Sequence, residues 1–122
     1  MNSRRLMLNG SAVRLAYGLL SLFAPNLLFK LSGKDVEAEP RYFNALFGGR
    51  DLSVVGATYV ALESGREREA ILLNMSCEAT DLVALGLEAR ARGGLDQTLV
   101  AAIGFNVFGW VTWLTALARL EK

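Results

Sequence analysis

Apolar positions gather into four long blocks, at about residues 11–31, 41–63, 67–91 and 96–119. Three polar joints separate them: "SGKDVEAEPR", "ESGRERE" and "ARARGGLD". Gly33, Pro40, Gly65, Gly93 and Gly94 fall in these joints, where helices stop and restart. Asp96 is placed to cap the fourth block, and Ser64 more weakly the third. No long alternation of polar and apolar positions marks a strand, and no Asn-Gly or Asp-Gly hairpin joins two β-branched runs. The pattern predicts an all-α chain, a single domain forming an antiparallel up-down four-helix bundle.

The polar residues inside the blocks are spaced as helix faces. Asn74, Glu78 and Asp81 are four and three residues apart, so they share one side of the third helix. Asn44, Gly48, Asp51 and Thr58 do the same on the second, with Arg50 about 100° away. The first helix offers Arg14, Gly18 and Ser21, and the fourth a weaker edge of Asn106 and Gly109. Turned inward, these lines bring Arg14 and Arg50 opposite Asp51, Glu78 and Asp81.

What surrounds the blocks decides the solvent. Gln97 to Ala118 contains no charge, and Leu15 to Phe29 is also uncharged, with Pro25 bending or breaking the helix near its end. A bilayer crossing needs about 20 predominantly apolar residues. The second block is split by Arg50 and Asp51. The third ranks as the poorest span, because Glu78 and Asp81 lie inside it. A charge at the bilayer centre costs about 2.5–3.5 kcal/mol on the lenient insertion scale, and charges survive there by facing one another. A transmembrane bundle with inward charges follows. A soluble bundle is the competing architecture, but the fourth block lacks the charged outer face that it requires. Small residues recurring every four positions (Gly49, Ser53, Ala57, Ala61, and Ser76, Thr80, Ala84) are expected to let helices approach. Trp110, Trp113 and Tyr42 are expected in an interfacial belt.

Composition narrows the chemistry. The chain of 122 residues has 52% hydrophobic and 20% charged residues, with a formal net charge of +1 and no basic stripe for nucleic acid. It has no histidine, which removes imidazole from catalysis and metal binding. Cys77 has no partner for an internal disulfide and, beside acids, reads as an inert thiol. Arg4 and Arg5 precede the first apolar block as in a signal peptide. Arg14 interrupts that block and no A-x-A-like site follows, so the segment is expected to stay. "LFGGRD" lacks the spacing and the Lys-Ser/Thr ending of a phosphate loop. Phe105, Phe108, Trp110 and Trp113 read as packing or lipid-facing residues rather than a ligand wall. Basic residues at the joints slightly favour cytoplasmic chain ends.

"RLAYGLLSLFAP", "LFGGRDLSVVGA" and "CEATDLVALGLEA" together resemble the small four-helix membrane proteins related to the DoxX group. The marks are an Arg in the first helix, a closing Pro, a Gly-Arg-Asp step in the second and an Asp in the third. Arg14, Arg50, Asp51 and Asp81 are the matching positions. The resemblance implies an integral membrane bundle, in some relatives an accessory subunit of a quinol-linked redox system. The expected site is a polar network of Arg14, Asn44, Arg50, Asp51, Asn74, Glu78, Asp81 and Asn106, with no metal. No cofactor is evident; a quinone or a lipid headgroup is the conceivable ligand, with Arg50 holding its oxygen. The expected partners are the bilayer and either further copies of the chain or a larger complex. The expected compartment is the bacterial plasma membrane. Three acids against two bases predict that one acid, Glu78, retains a proton. The functional alternatives are a structural network, a binding site, and a proton relay or enzyme.

Overall fold

The computed structural model describes residues 2–24, 26, 27, 30 and 38–120, with side chains of the second helix described from Asn44 onward. Four helices follow in order: α1 (Ser3–Phe23), α2 (Ala38–Glu63), α3 (Glu67–Arg92) and α4 (Gln97–Leu120). The described residues contain no strand.

The helix ends follow local chemistry. α1 begins near residue 3 rather than 11, because the Asn2 side chain accepts a hydrogen bond from the Arg5 N–H at 2.9 Å and caps the first turn. It ends at Phe23; Ala24, at φ −135° and ψ 54°, has left the helix one residue before Pro25. The remainder of the expected first helix, toward residue 31, falls largely outside the described residues. α3 is not capped by Ser64: its N-cap is Arg66, which makes no side-chain capping bond. Gly93, at φ 75°, closes α3 in the left-handed conformation, and the Gly94 N–H returns to the Ala89 carbonyl. Asp96 caps α4 as expected, its Oδ1 accepting from the Leu99 N–H at 2.9 Å.

The helices pack in a ring, α1 against α2 and α4, and α3 against the same two. At one end Met7, Leu62, Ala70, Ile71, Trp113 and Ala116 form an apolar plug, each at most 4% exposed. Arg4 pairs with Glu63 beside this plug. At the far end Gly18 and Gly48 meet: a Cβ on Gly48 would lie 2.7 Å from the Ser21 Cβ and 2.9 Å from the Gly18 carbonyl oxygen. Glycine at both positions allows that approach.

Two expectations about the helix faces are reversed. Ser53, Ala57, Ser76, Thr80 and Ala84 point outward, and Gly49 has no neighbour that a Cβ would touch, while Ala61 of the same stripe packs against the plug. Ser53, Ser76 and Thr80 return their hydroxyls to carbonyls of their own helices. The polar lines occupy the interior instead, so close approach uses Gly10, Gly18, Gly48 and Gly109. Trp113 is not interfacial but 1% exposed within the plug, where it fills the space left by Gly10. Trp110 is half-buried, whereas Phe105 and Phe108 are exposed, so the four aromatics form no common wall. The Tyr42 side chain lies outside the described residues.

Among the described residues, α1, α3 and α4 are long and apolar enough to cross a membrane. The ranking from sequence is corrected here. α3 qualifies, because long apolar runs flank Glu78 and Asp81, while α2, with Arg50 and Asp51 adjacent at mid-helix, is not among the three.

Candidate functional site

The interior polar residues form one chain of alternating charge across three helices. Arg14 of α1 donates through Nη1 to Asp51 Oδ1 at 2.7 Å and through Nη2 to Glu78 Oε1 at 2.8 Å. Arg50 of α2 donates to Asp81 Oδ1 and Oδ2 of α3 at 2.9 and 3.2 Å, and to Asp51 Oδ1 at 3.2 Å. The order is therefore Glu78, Arg14, Asp51, Arg50, Asp81, with each cation between two carboxylates. Asn106 brings in α4: its Nδ2 donates to the Glu78 carbonyl at 3.0 Å and to Glu78 Oε2 at 3.1 Å. Gly109 lets this happen, since a Cβ there would collide with the Glu78 carboxylate.

Burial is graded along this chain. Arg14, Asp51 and Glu78 are buried, while the Arg50 and Asp81 side chains are 33% and 32% exposed. The charges face one another as the helix faces predict, with Arg50 and Asp81 only partly covered. Arg50 lies over the Phe47 ring, 5.3 Å from its centroid. Both Glu78 oxygens serve as acceptors.

One turn toward the plug, Asn74 Nδ2 donates to Thr58 Oγ1 at 2.8 Å and to the Ala70 carbonyl, while Thr58 returns its proton to the Val54 carbonyl. Ser11 Oγ and Asn74 Oδ1 are buried there without partners. Beyond them the plug ends the polar column.

Asn44 does not join the ion pairs. It sits at the opposite rim and accepts at Oδ1 from the Tyr17 hydroxyl at 2.8 Å. Tyr17 lies within electrostatic reach of Arg50, Asp51 and Asp81. The sequence reading missed it, although Tyr17 continues the Arg14 line by three residues. Cys77 is a half-buried free thiol next to Glu78. No group of three acids or cysteines among the described residues could hold a metal ion.

The structure thus joins seven of the eight expected network residues, Arg14, Arg50, Asp51, Asn74, Glu78, Asp81 and Asn106, into one polar column and places Asn44 at its rim. Chemically, the column ties all four helices together in a fixed register. It also presents Arg50 and Asp81 at a partly open edge. No protein-family model, curated protein or solved structure matches the chain.

Proposed function

We propose that this chain is a small integral membrane protein, an antiparallel up-down four-helix transmembrane bundle that serves as an accessory or hydrophobic-ligand-binding component. The observation that carries this reading is the inversion of its surfaces. Among the described residues, buried polar and charged side chains are as prominent as buried apolar ones, while large hydrophobics such as Val60, Val83, Phe105 and Val111 are each at least 60% exposed. A water-soluble bundle places its residues the other way round. In hydrocarbon the exposed Leu, Val and Phe are at home, and the charges must pair internally.

The antiparallel path is supported by the order of contacts. From Arg4 to Arg14 to Gly18 on α1, the partners on α2 run backward from Glu63 to Asp51 to Gly48. α2 would then complete the bundle although its own composition is marginal, because its charges are neutralised by α1 and α3.

The same geometry favours a structural and binding network over a proton relay across the membrane. The polar column stops at Met7, Ile71 and Trp113, which offer no group to carry a proton onward. A bacterial plasma-membrane location, a quinol-linked complex as partner and membership of the DoxX-related group remain part of the proposal, resting on the sequence resemblance.

The test is fractionation of cells expressing the full chain. Retention in alkaline-carbonate-washed membranes, with release only by detergent, is the expected result. Recovery in the detergent-free soluble fraction as a monodisperse protein would defeat the reading in favour of a soluble interaction module.

A further inference from the structure

One charge pair stands where the bundle does not cover it. Arg50 and Asp81 bond across the α2–α3 seam, and each keeps about a third of its side chain exposed. Arg50 is the thirteenth of the 26 residues of α2, and Asp81 the fifteenth of the 26 of α3. In the membrane bundle proposed above, both therefore lie near mid-depth, with roughly 16–21 Å of helix on either side. Neither side chain is long enough to reach the headgroups from there. Ionic groups open to hydrocarbon at that depth are costly, and membrane proteins turn them toward other protein.

The surface around the pair allows such a cover to come close. Ser53 and Ala57 lie within about 60° of Arg50 around α2, and Cys77 and Ala84 within about 60° of Asp81 around α3. All four side chains are small, and none is buried. Leu46 and Phe47 add exposed apolar surface on the side toward the start of α2, whereas Val83, Phe105 and Val111 stand farther round the bundle.

The pair also selects its cover. Arg50 and Asp81 lie at one level because they are bonded to each other. A half-turn about the membrane normal keeps that level and exchanges left for right. Two copies meeting face to face across this seam therefore set each Arg50 against the partner's Asp81. The four groups then close a ring of alternating charge. An unlike membrane segment would have to bring its own base and acid, side by side, to the same depth.

We propose that the exposed Arg50–Asp81 pair on the α2–α3 seam is the centre of a two-fold interface between two copies of this chain. The proposal rests on the membrane reading above and locates the copy-to-copy contact within it. In the dimer, α2 faces the partner's α3. Ser53 is three residues, and Cys77 four, from the ion pair in the direction of the apolar plug, so Ser53 lies opposite the partner's Cys77.

The test co-expresses two differently tagged full-length copies and treats their carbonate-washed membranes with a short thiol-specific cross-linker. One copy carries Ser53→Cys with Cys77→Ala; the other keeps its native thiol. The expected result is a cross-linked heterodimer that persists when the membranes are fused with excess lipid. Phe105→Cys with Cys77→Ala, on the outer face of α4, should give background only. Leu46→Cys against Ala84→Cys, both without Cys77, should report the same contact from the other side of the ion pair. Asp81→Asn in both copies should lower the cross-linked yield by about tenfold, the effect of losing one charge-assisted hydrogen bond, with helix content unchanged by circular dichroism. Background yield from both cysteine pairs in folded, membrane-integral protein would overturn the interface and leave the membrane reading standing. Adducts to a different protein alone would replace the second copy with an unlike partner. Full yield from Asp81→Asn would overturn the part assigned to the ion pair. Recovery in the soluble fraction, seen before any cross-linker is added, would remove the membrane reading and this interface with it.

Discussion

The two ends of this bundle are built on different principles. At the Trp113 end, six apolar side chains from all four helices are at most 4% exposed. At the other end Leu99 is the one buried apolar side chain described, and α3 contributes no buried residue beyond Glu78. Side-chain packing holds the first end; glycine contact and partly exposed ion pairs hold the second. The lesson is that a small bundle can concentrate its apolar packing at one end and hold the other end by backbone contact and charge.

The largest test of this contrast lies at the boundary between the two ends. Arg14→Leu strips Asp51 and Glu78 of their shared cation while they stay buried, and about 3–5 kcal/mol of stability should disappear. Thermal unfolding in detergent would show it, and a near-wild-type midpoint would mean the column does not join the ends. Next comes the plug itself. Trp113→Ala should cost about 3–5 kcal/mol, whereas Leu99→Ala at the looser end should fall near the lower bound for a buried leucine, about 2 kcal/mol. Equal losses in the same assay would erase the proposed asymmetry.

Smaller effects probe the open end directly. Gly48→Ala places a methyl against Ser21 and the Gly18 backbone; α1 and α2 must separate, at a cost of about 1–3 kcal/mol. Hydrogen exchange should then speed up around Gly18 and Gly48 and leave the amides near Ile71 unchanged. The least perturbing change is Asp81→Asn. Arg50 keeps Asp51 as a counter-ion and the new amide oxygen can still accept from it, so the stability loss should be smaller than that of Arg14→Leu. A relay would instead reveal itself as lost proton movement in proteoliposomes at unchanged stability. Infrared difference spectra give the last check: Glu78→Gln should remove a protonated-acid band, as the count of three acids against two bases expects, and loss of an ionised carboxylate signal instead would defeat that expectation.

Much of this arrangement can be read from spacing alone. Asn74, Glu78 and Asp81 at helical intervals announce an interior face, because a charge in an apolar helix has one tolerable direction. The partners follow from counting charges on the other helices. The direction of the uncharged faces is a different matter. Gly49–Ser53–Ala57 and Gly18–Gly48 are equally small, and in a chain apolar on both sides nothing local says which will meet a neighbour. Trp113 shows the same ambiguity: its position near the end of α4 suits an interface, yet Gly10 on a distant helix opens the space that buries it. Asn2 as a cap was legible in principle, a good N-cap residue ahead of a long helix, but polar residues between it and the apolar block obscured the start.

The alternating ion chain also divides the polypeptide into complementary halves. α1 and α2 carry Arg14, Arg50 and Asp51; α3 and α4 carry Glu78, Asp81 and the amide of Asn106. Synthesised first, the leading helix pair carries a surplus cation, and the trailing pair brings two acids and no base of its own within the column. Cut between Gly65 and Arg66, the two pairs should find each other as separate chains, each supplying the counter-ions that the other lacks.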